Sequence, residues 1–156
     1  MKGDAQILEL LNECLSHELA AINQYFAHSK MCANWGYARL AKHKWEESLD
    51  EMKHADKLVD RILYLDGVPN MQRLSPVRVG ETVEEQHRCD LELEQDAIAR
   101  LNAGIALCRD KGDNGTRHLL EEMLTSEEHA VDFLEAQLQQ IADMGIENYL
   151  AQQIRE

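Results

Sequence analysis

The position of the two prolines constrains the fold of this chain more than any other feature. Pro69 and Pro76 both lie in a segment from about residue 66 to 82, and nearly everywhere else apolar residues recur at helical spacing. A helix of about 28 residues is roughly 42 Å long, and sixteen extended residues span roughly 50 Å. The proline segment is therefore long enough to run the length of a long helix. No strand pattern occurs.

Four long helices and a short fifth one are predicted from the apolar spacing and from capping residues. Asp4 is a plausible N-cap for the first helix, and Thr82 with Glu85 forms a capping box for the third. The expected helices cover about residues 4–34, 37–65, 82–111, 116–144 and 146–155. Gly112 and Gly145 are expected to end the third and fourth helices.

The lengths of the connections predict how the helices are arranged. Short connections join the first helix to the second and the third to the fourth, so these pairs should be antiparallel. The proline segment can return along the bundle and leave the second and third helices parallel. Four helices with one long crossover are the ferritin-like arrangement. We therefore expect an all-α, ferritin-like four-helix bundle with a short C-terminal fifth helix, formed by residues 1–156 as a single domain.

Charge and composition exclude several classes of function. The chain carries a formal net charge of −13, which argues against binding nucleic acid and suits a protein that attracts cations. No apolar run approaches the ~18–20 residues needed to span a membrane, and no signal-peptide pattern follows Met1. We therefore expect a cytoplasmic protein with neither nucleic-acid nor membrane partners. The four cysteines form no C-x-x-C pair and are expected to be reduced.

Acidic residues fall on the inward stripes of all four long helices. These stripes are otherwise apolar, and burying an unpaired charge is costly. Glu51 and His54 form an E-x-x-H pair, whose two ends share one helix face. Di-iron bundles use one Glu from each of two helices and an E-x-x-H pair from each of the other two. The sequence therefore predicts a di-iron centre with five candidate ligands, Glu18, Glu51, His54, Glu94 and Glu127.

The second E-x-x-H pair is incomplete. Three residues after Glu127 the chain has Ala130 in place of a histidine, and His129 is expected on the opposite side of the helix from Glu127. A π-bulge could turn His129 inward, which makes it a tentative sixth metal ligand. The alternative is that His129 is a surface or interface residue.

Several long, collinear stretches resemble the bacterioferritin family. They are MKGD (1–4), ELAAINQYFAHSKM (18–31), NWG (34–36), ESLDEMKHADK (47–57), RILYLDGVPN (61–70) and GIENYL (145–150). The resemblance implies an iron-storage cage of twenty-four subunits that oxidises Fe(II) to a ferric mineral. It also implies a first iron position at Glu18, Glu51 and His54, with Glu127 as a bridging ligand and Glu94 at the second position.

The same resemblance implies a haem b group between two subunits, with one axial methionine from each. Met52 occupies that position. It follows Glu51 directly, so it should point out of the bundle where Glu51 points in. Such a haem would pass electrons to the stored mineral, with a small ferredoxin as the electron donor.

Ala130 leaves two alternatives to a fully active ferroxidase open. The chain could be a haem-binding, oxidation-poor subunit of a mixed cage that also contains a second type of bacterioferritin subunit. It could also be an enzyme of the same bundle class, such as a rubrerythrin-like peroxidase, although the C-x-x-C iron domain of that class is absent. Whether the chain is itself a ferroxidase depends on whether the second iron position works without a histidine at residue 130.

Overall fold

The computed structural model describes all 156 residues and contains helices but no strand. The helices are α1 (Ala5–Asn34), α2 (Ala38–Tyr64), α3 (Val83–Lys111), α4 (Asn114–Met144) and α5 (Ile146–Ala151). The most extensive packing is between α1 and α2 and between α3 and α4. This architecture confirms the predicted all-α bundle with a short C-terminal helix. None of the helices is long and apolar enough to cross a membrane.

The expected caps explain where the first helix begins and where the third helix begins and ends. The Asp4 carboxylate accepts the backbone N–H groups of Gln6 and Ile7, at 2.8 and 3.3 Å. The Thr82 hydroxyl accepts the N–H of Glu85 at 3.2 Å. Gly112 ends α3 with a left-handed φ of 74°, a conformation that costs glycine little.

Two boundaries differ from the sequence prediction. Helix α4 begins at Asn114, within the segment expected to precede it, because the Asp113 carboxylate accepts the N–H of Thr116 at 3.0 Å and caps the helix. Helix α5 ends at Ala151 instead of Arg155. There Gln152 and Gln153 bond back to carbonyl groups three residues earlier, which tightens and ends the helix.

The proline segment lies along α1, and its hydrogen bonds to α1 show the direction in which it runs. The segment meets α1 at four successive positions, through the pairs Val68–Asn12, Ser75–Ser16, Arg78–Gln24 and Gly80–His28. Sixteen helical residues separate the first and last of these α1 positions, which corresponds to about 24 Å. The segment therefore returns the chain to the end of the bundle where α2 begins, and α3 runs parallel to α2.

Two apolar clusters fill the bundle on either side of a polar middle layer. The larger includes Leu11, Leu15, Leu58 and Leu120, and the smaller includes Tyr149. Between the clusters the inward positions are mostly polar yet buried, among them Glu18, Gln24, Lys44, Ser48, Glu51, Asp90, Glu94 and Glu127. Because a buried polar group must be paired to be tolerated, this layer is where a functional site is expected.

Candidate metal centre

Three helices bring four of the predicted ligands together. Glu18 comes from α1, Glu51 and His54 from α2, and Glu127 from α4, and one ligand atom from each lies within 4.8 Å of all the others. His54 Nδ1 is central to the group. It lies 3.1 Å from Glu127 Oε1 and 3.7 Å from carboxylate oxygens of both Glu18 and Glu51. The arrangement is a compact pocket of three carboxylates and one imidazole.

Several ligand atoms in this pocket have no hydrogen-bond partner within the protein. Five buried side-chain nitrogen or oxygen atoms in the chain lack a partner, and four of them belong to Glu18, His54, Glu94 and Glu127. His54 Nδ1 is close to Glu127 but is not aligned for a hydrogen bond. Buried polar atoms without partners are rare because each costs free energy. Oxygen and imidazole donors of this kind suit a divalent transition metal such as Fe(II).

The pKa values of Glu18 and His54 are both raised by their surroundings in this pocket. Burial, followed by repulsion from Glu127, raises the pKa of Glu18 to about 7. Burial lowers the pKa of His54, but the nearby Glu127 and Glu18 outweigh it and raise that pKa to about 10. Without a metal, a protonated His54 therefore supplies the positive charge among the carboxylates. A bound cation would take over that role and leave the imidazole free to coordinate.

Glu94 is buried but lies outside the compact group of four. One of its oxygens accepts the Tyr25 hydroxyl at 2.9 Å, and its other oxygen has no partner. The Tyr25 bond orients the carboxylate, and the free oxygen remains available as a ligand. The sequence analysis missed this role of Tyr25. The signal was present, because a tyrosine on an inward stripe must find a partner for its hydroxyl.

A buried network around Asp90 lies one turn before Glu94 on α3. Lys44 donates to one Asp90 oxygen at 2.7 Å, while Gln24 donates to the other at 2.8 Å and His28 lies 2.9 Å from it. Burial alone would raise the pKa of Asp90, but Lys44 and His28 outweigh it and hold that pKa well below its usual range. The network ties α1, α2 and α3 together beside the carboxylates. The sequence analysis did not identify it.

The structure places Ala130 inside the bundle and His129 outside it. Ala130 is buried on the same face of α4 as Glu127, and His129 is exposed. Helix α4 is an uninterrupted α-helix from Asn114 to Met144, with no π-bulge to rotate the histidine. The tentative assignment of His129 as a metal ligand is therefore wrong for this structure. Residue 130 offers no donor atom in its place.

Met52 lies on the outer surface of α2, with 58% of the residue exposed. Trp45 and Leu49 are exposed on the same side of the helix, and the Trp45 ring lies 5.7 Å from that of Phe26 on α1. The exposed side of α2 therefore carries an accessible thioether, a soft ligand atom, among exposed apolar side chains.

Comparison with known proteins relates this chain to one family over nearly its whole length. A model of the ferritin-like domain matches residues 8–144. The chain is 51% identical to a bacterioferritin of Mycobacterium tuberculosis over 97% of this chain and 96% of the relative. It is 48% identical to the bacterioferritin of Streptomyces coelicolor over 100% and 93% of the two chains. For the bacterioferritin of Brucella melitensis the identity is 45% over 96% and 92%.

Proposed function

The chain belongs to the bacterioferritin family, and on this basis we propose that it is an iron-storage subunit that binds Fe(II) among Glu18, Glu51, His54 and Glu127. The observation that carries the proposal is the set of buried ligand atoms without partners. The net charge of −13 would help to attract Fe(II) to such a protein.

Each residue of the pocket has a definite task with Fe(II) as the substrate. The carboxylates of Glu18 and Glu51 neutralise the ion, and His54 coordinates it after losing its proton. Glu127 lies beside His54, so it could bridge a first iron to a second one held by Glu94. With O2 as the oxidant, two Fe(II) would give up one electron each and reduce one O2, with two protons, to hydrogen peroxide, and the ferric product would then join the mineral.

A titration under nitrogen tests this proposal. Fe(II) added to the iron-free protein is expected to fill one tight site per chain and a second, clearly weaker one, because Ala130 supplies no donor. The measurement is calorimetry, with Co(II) absorption as an independent probe of coordination. Two equally tight sites would show that the second position has another ligand, and no saturable site would reject the proposed iron pocket.

The same pocket favours a second candidate function. With Ala130 buried and His129 exposed, α4 supplies no nitrogen donor to the pocket. A subunit of this kind would oxidise iron slowly and would act mainly as the haem-binding, structural partner in a mixed cage. Slow oxidation by the pure protein, accelerated by adding a subunit with a complete centre, would support this reading.

We further propose that two copies of the chain pair through the exposed side of α2 and hold a haem b between their Met52 side chains. Support comes from the exposed thioether and from the apolar residues around it. Pairs of this type would be the building units of the proposed cage of twenty-four subunits, which needs further contacts between pairs. Haem bound there supplies one-electron chemistry, and a small ferredoxin is the proposed electron donor.

Met52→Leu is expected to abolish haem binding while the cage still assembles, because leucine keeps the apolar bulk and removes the sulfur ligand. The measurement is the haem absorption spectrum of protein supplied with haem, together with the size of the assembly. Met71→Leu is the matched control, since Met71 is a similarly exposed methionine in the proline segment. Equal haem content in the Met52 variant and the wild type would contradict the assignment.

A further inference from the structure

Two adjoining cavities lie between the proline segment, α1 and α3. Their volumes are about 90 and 290 Å³, and Ser75 and Arg100 line both of them. His17 and Arg78 line the smaller cavity, and Arg73 lines the larger. In a chain with a net charge of −13, three arginines around two adjoining cavities are unexpected.

Arg100 has unused hydrogen-bonding capacity in this space. Its Nη1 atom is buried without a partner, and no carboxylate oxygen lies within 4.0 Å of the guanidinium. Arg78, by contrast, is paired with Glu92 at 2.8 Å. Apart from atoms of the candidate iron ligands Glu18, His54, Glu94 and Glu127, Arg100 Nη1 is the one buried side-chain nitrogen or oxygen without a partner. A buried, charged donor without an acceptor costs free energy. We therefore expect a ligand to supply the acceptor that the protein does not.

The His17 ring also has unused hydrogen-bonding capacity in this space. The residue is 5% exposed and lines the smaller cavity, and its ring makes no hydrogen bond within the protein. A neutral imidazole carries one N–H group, so one of the ring nitrogens can donate a hydrogen bond to a ligand.

The walls of the space are held in place by the fold. The backbone N–H of Ser75 donates to the carbonyl of Ser16 at 3.1 Å, and the two hydroxyl groups lie 3.2 Å apart. Two acids also line the space, Glu13 in the larger cavity and Asp96 in the smaller. The ion pairs of the chain include none between these acids and Arg73 or Arg100, whereas Arg78 pairs with Glu92. The guanidinium groups of Arg73 and Arg100 are therefore free to donate hydrogen bonds.

We propose that this space is a binding site for a phosphate group, held by Arg100 and Arg73, with Ser75 and His17 as further hydrogen-bond donors. A guanidinium presents a planar fork of N–H groups that matches two oxygens of a tetrahedral oxyanion. Free orthophosphate and the phosphoryl group of a small metabolite share this chemistry. The cavities are lined by none of the proposed iron ligands, although the Arg100 charge is near enough to Glu18 to act on the pKa of that carboxyl.

Calorimetric titration of the iron-free, assembled protein with orthophosphate at pH 7 tests this proposal. Iron must be removed, because ferric iron would itself bind phosphate. One site per chain is expected in the wild type. Arg100→Gln should weaken binding by about tenfold or more, since it removes a charge-assisted donor pair. Arg88→Gln is the matched control, because Arg88 lies exposed on the same helix and pairs only with Glu84.

Arg73→Gln is a second test that does not require the Arg100 variant to assemble. Arg73 is exposed on the proline segment, so its replacement should leave the fold intact. This variant should also weaken phosphate binding. Absence of saturable binding to the wild type, or equal affinity in the Arg73, Arg100 and Arg88 variants, would overturn the proposal. A parallel titration with adenosine monophosphate identifies the source: tighter binding than orthophosphate indicates a phosphorylated metabolite, and weaker binding indicates the free ion.

Discussion

Ala130→His is expected to raise the initial rate of Fe(II) oxidation by at least about tenfold. Loss of a partner that merely orients a metal ligand already costs 10–100-fold in metal affinity or activity, and a ligand itself should contribute no less. Residue 130 is buried on the face of α4 that carries Glu127. A histidine there would complete the second E-x-x-H pair. The measurement is the rate of oxygen uptake with two Fe(II) added per chain.

Two controls separate ligation from other effects of the Ala130 substitution. Ala130→Leu adds bulk at the same buried position but no nitrogen, so it should not speed oxidation. His129→Ala removes an exposed side chain next to it and should leave the rate unchanged. A rate for Ala130→His equal to that of the wild type would show that the altered position does not limit oxidation. Equal acceleration by the leucine variant would show that ligation is not the cause.

Glu18→Gln is expected to make the metal-free protein more stable and to weaken Fe(II) binding by about 100-fold or more, because it removes a charged ligand. In the folded protein the pKa of Glu18 is about 7, above the ordinary value of 4.5. A carboxyl whose pKa rises on folding lowers stability progressively as the pH increases from about 4.5 to 7. The glutamine variant escapes this loss, which is on the order of 1–3 kcal/mol.

Thermal unfolding at two pH values measures both effects of the Glu18 substitution. Without metal, the variant should have a higher Tm than the wild type at pH 7.5, and the difference should shrink toward pH 4.5. With Fe(II) or Co(II) present, the wild type should gain more stability than the variant. Glu9→Gln, an exposed acid on the same helix, should change neither quantity. A Glu18 variant that is destabilised without metal would indicate a structural role for this carboxylate.

The opposite directions of the two Glu18 effects distinguish a binding site from a structural ion pair. When a carboxylate that stabilises the fold is neutralised, the protein becomes less stable. A buried carboxylate whose role is to bind a ligand lowers the stability of the protein until that ligand binds. Such a loss of stability is common at functional sites. Glu18 has a raised pKa, whereas the Lys44–Asp90 pair lowers the pKa of its acid. The middle layer of the bundle therefore contains both kinds of buried acid.

The sequence by itself determined the helices, their order and the face on which each acid lies. Apolar residues at helical spacing, the caps at Asp4 and Thr82, and a proline segment of sufficient length were enough to predict the bundle. These signals are local, so they can be read without knowledge of the rest of the chain. The predicted helix boundaries were wrong at two ends, where Asp113 starts α4 early and α5 stops at Ala151.

Only the tertiary structure decided which inward residues meet. It grouped Glu18, Glu51, His54 and Glu127, set Glu94 apart on Tyr25, and turned His129 outward. It also joined Lys44 to Asp90 and left Arg100 without a partner under the proline segment. The physical reason is that periodicity fixes the direction of a side chain around its own helix. Distances and charges between residues on different helices depend on how those helices pack against each other.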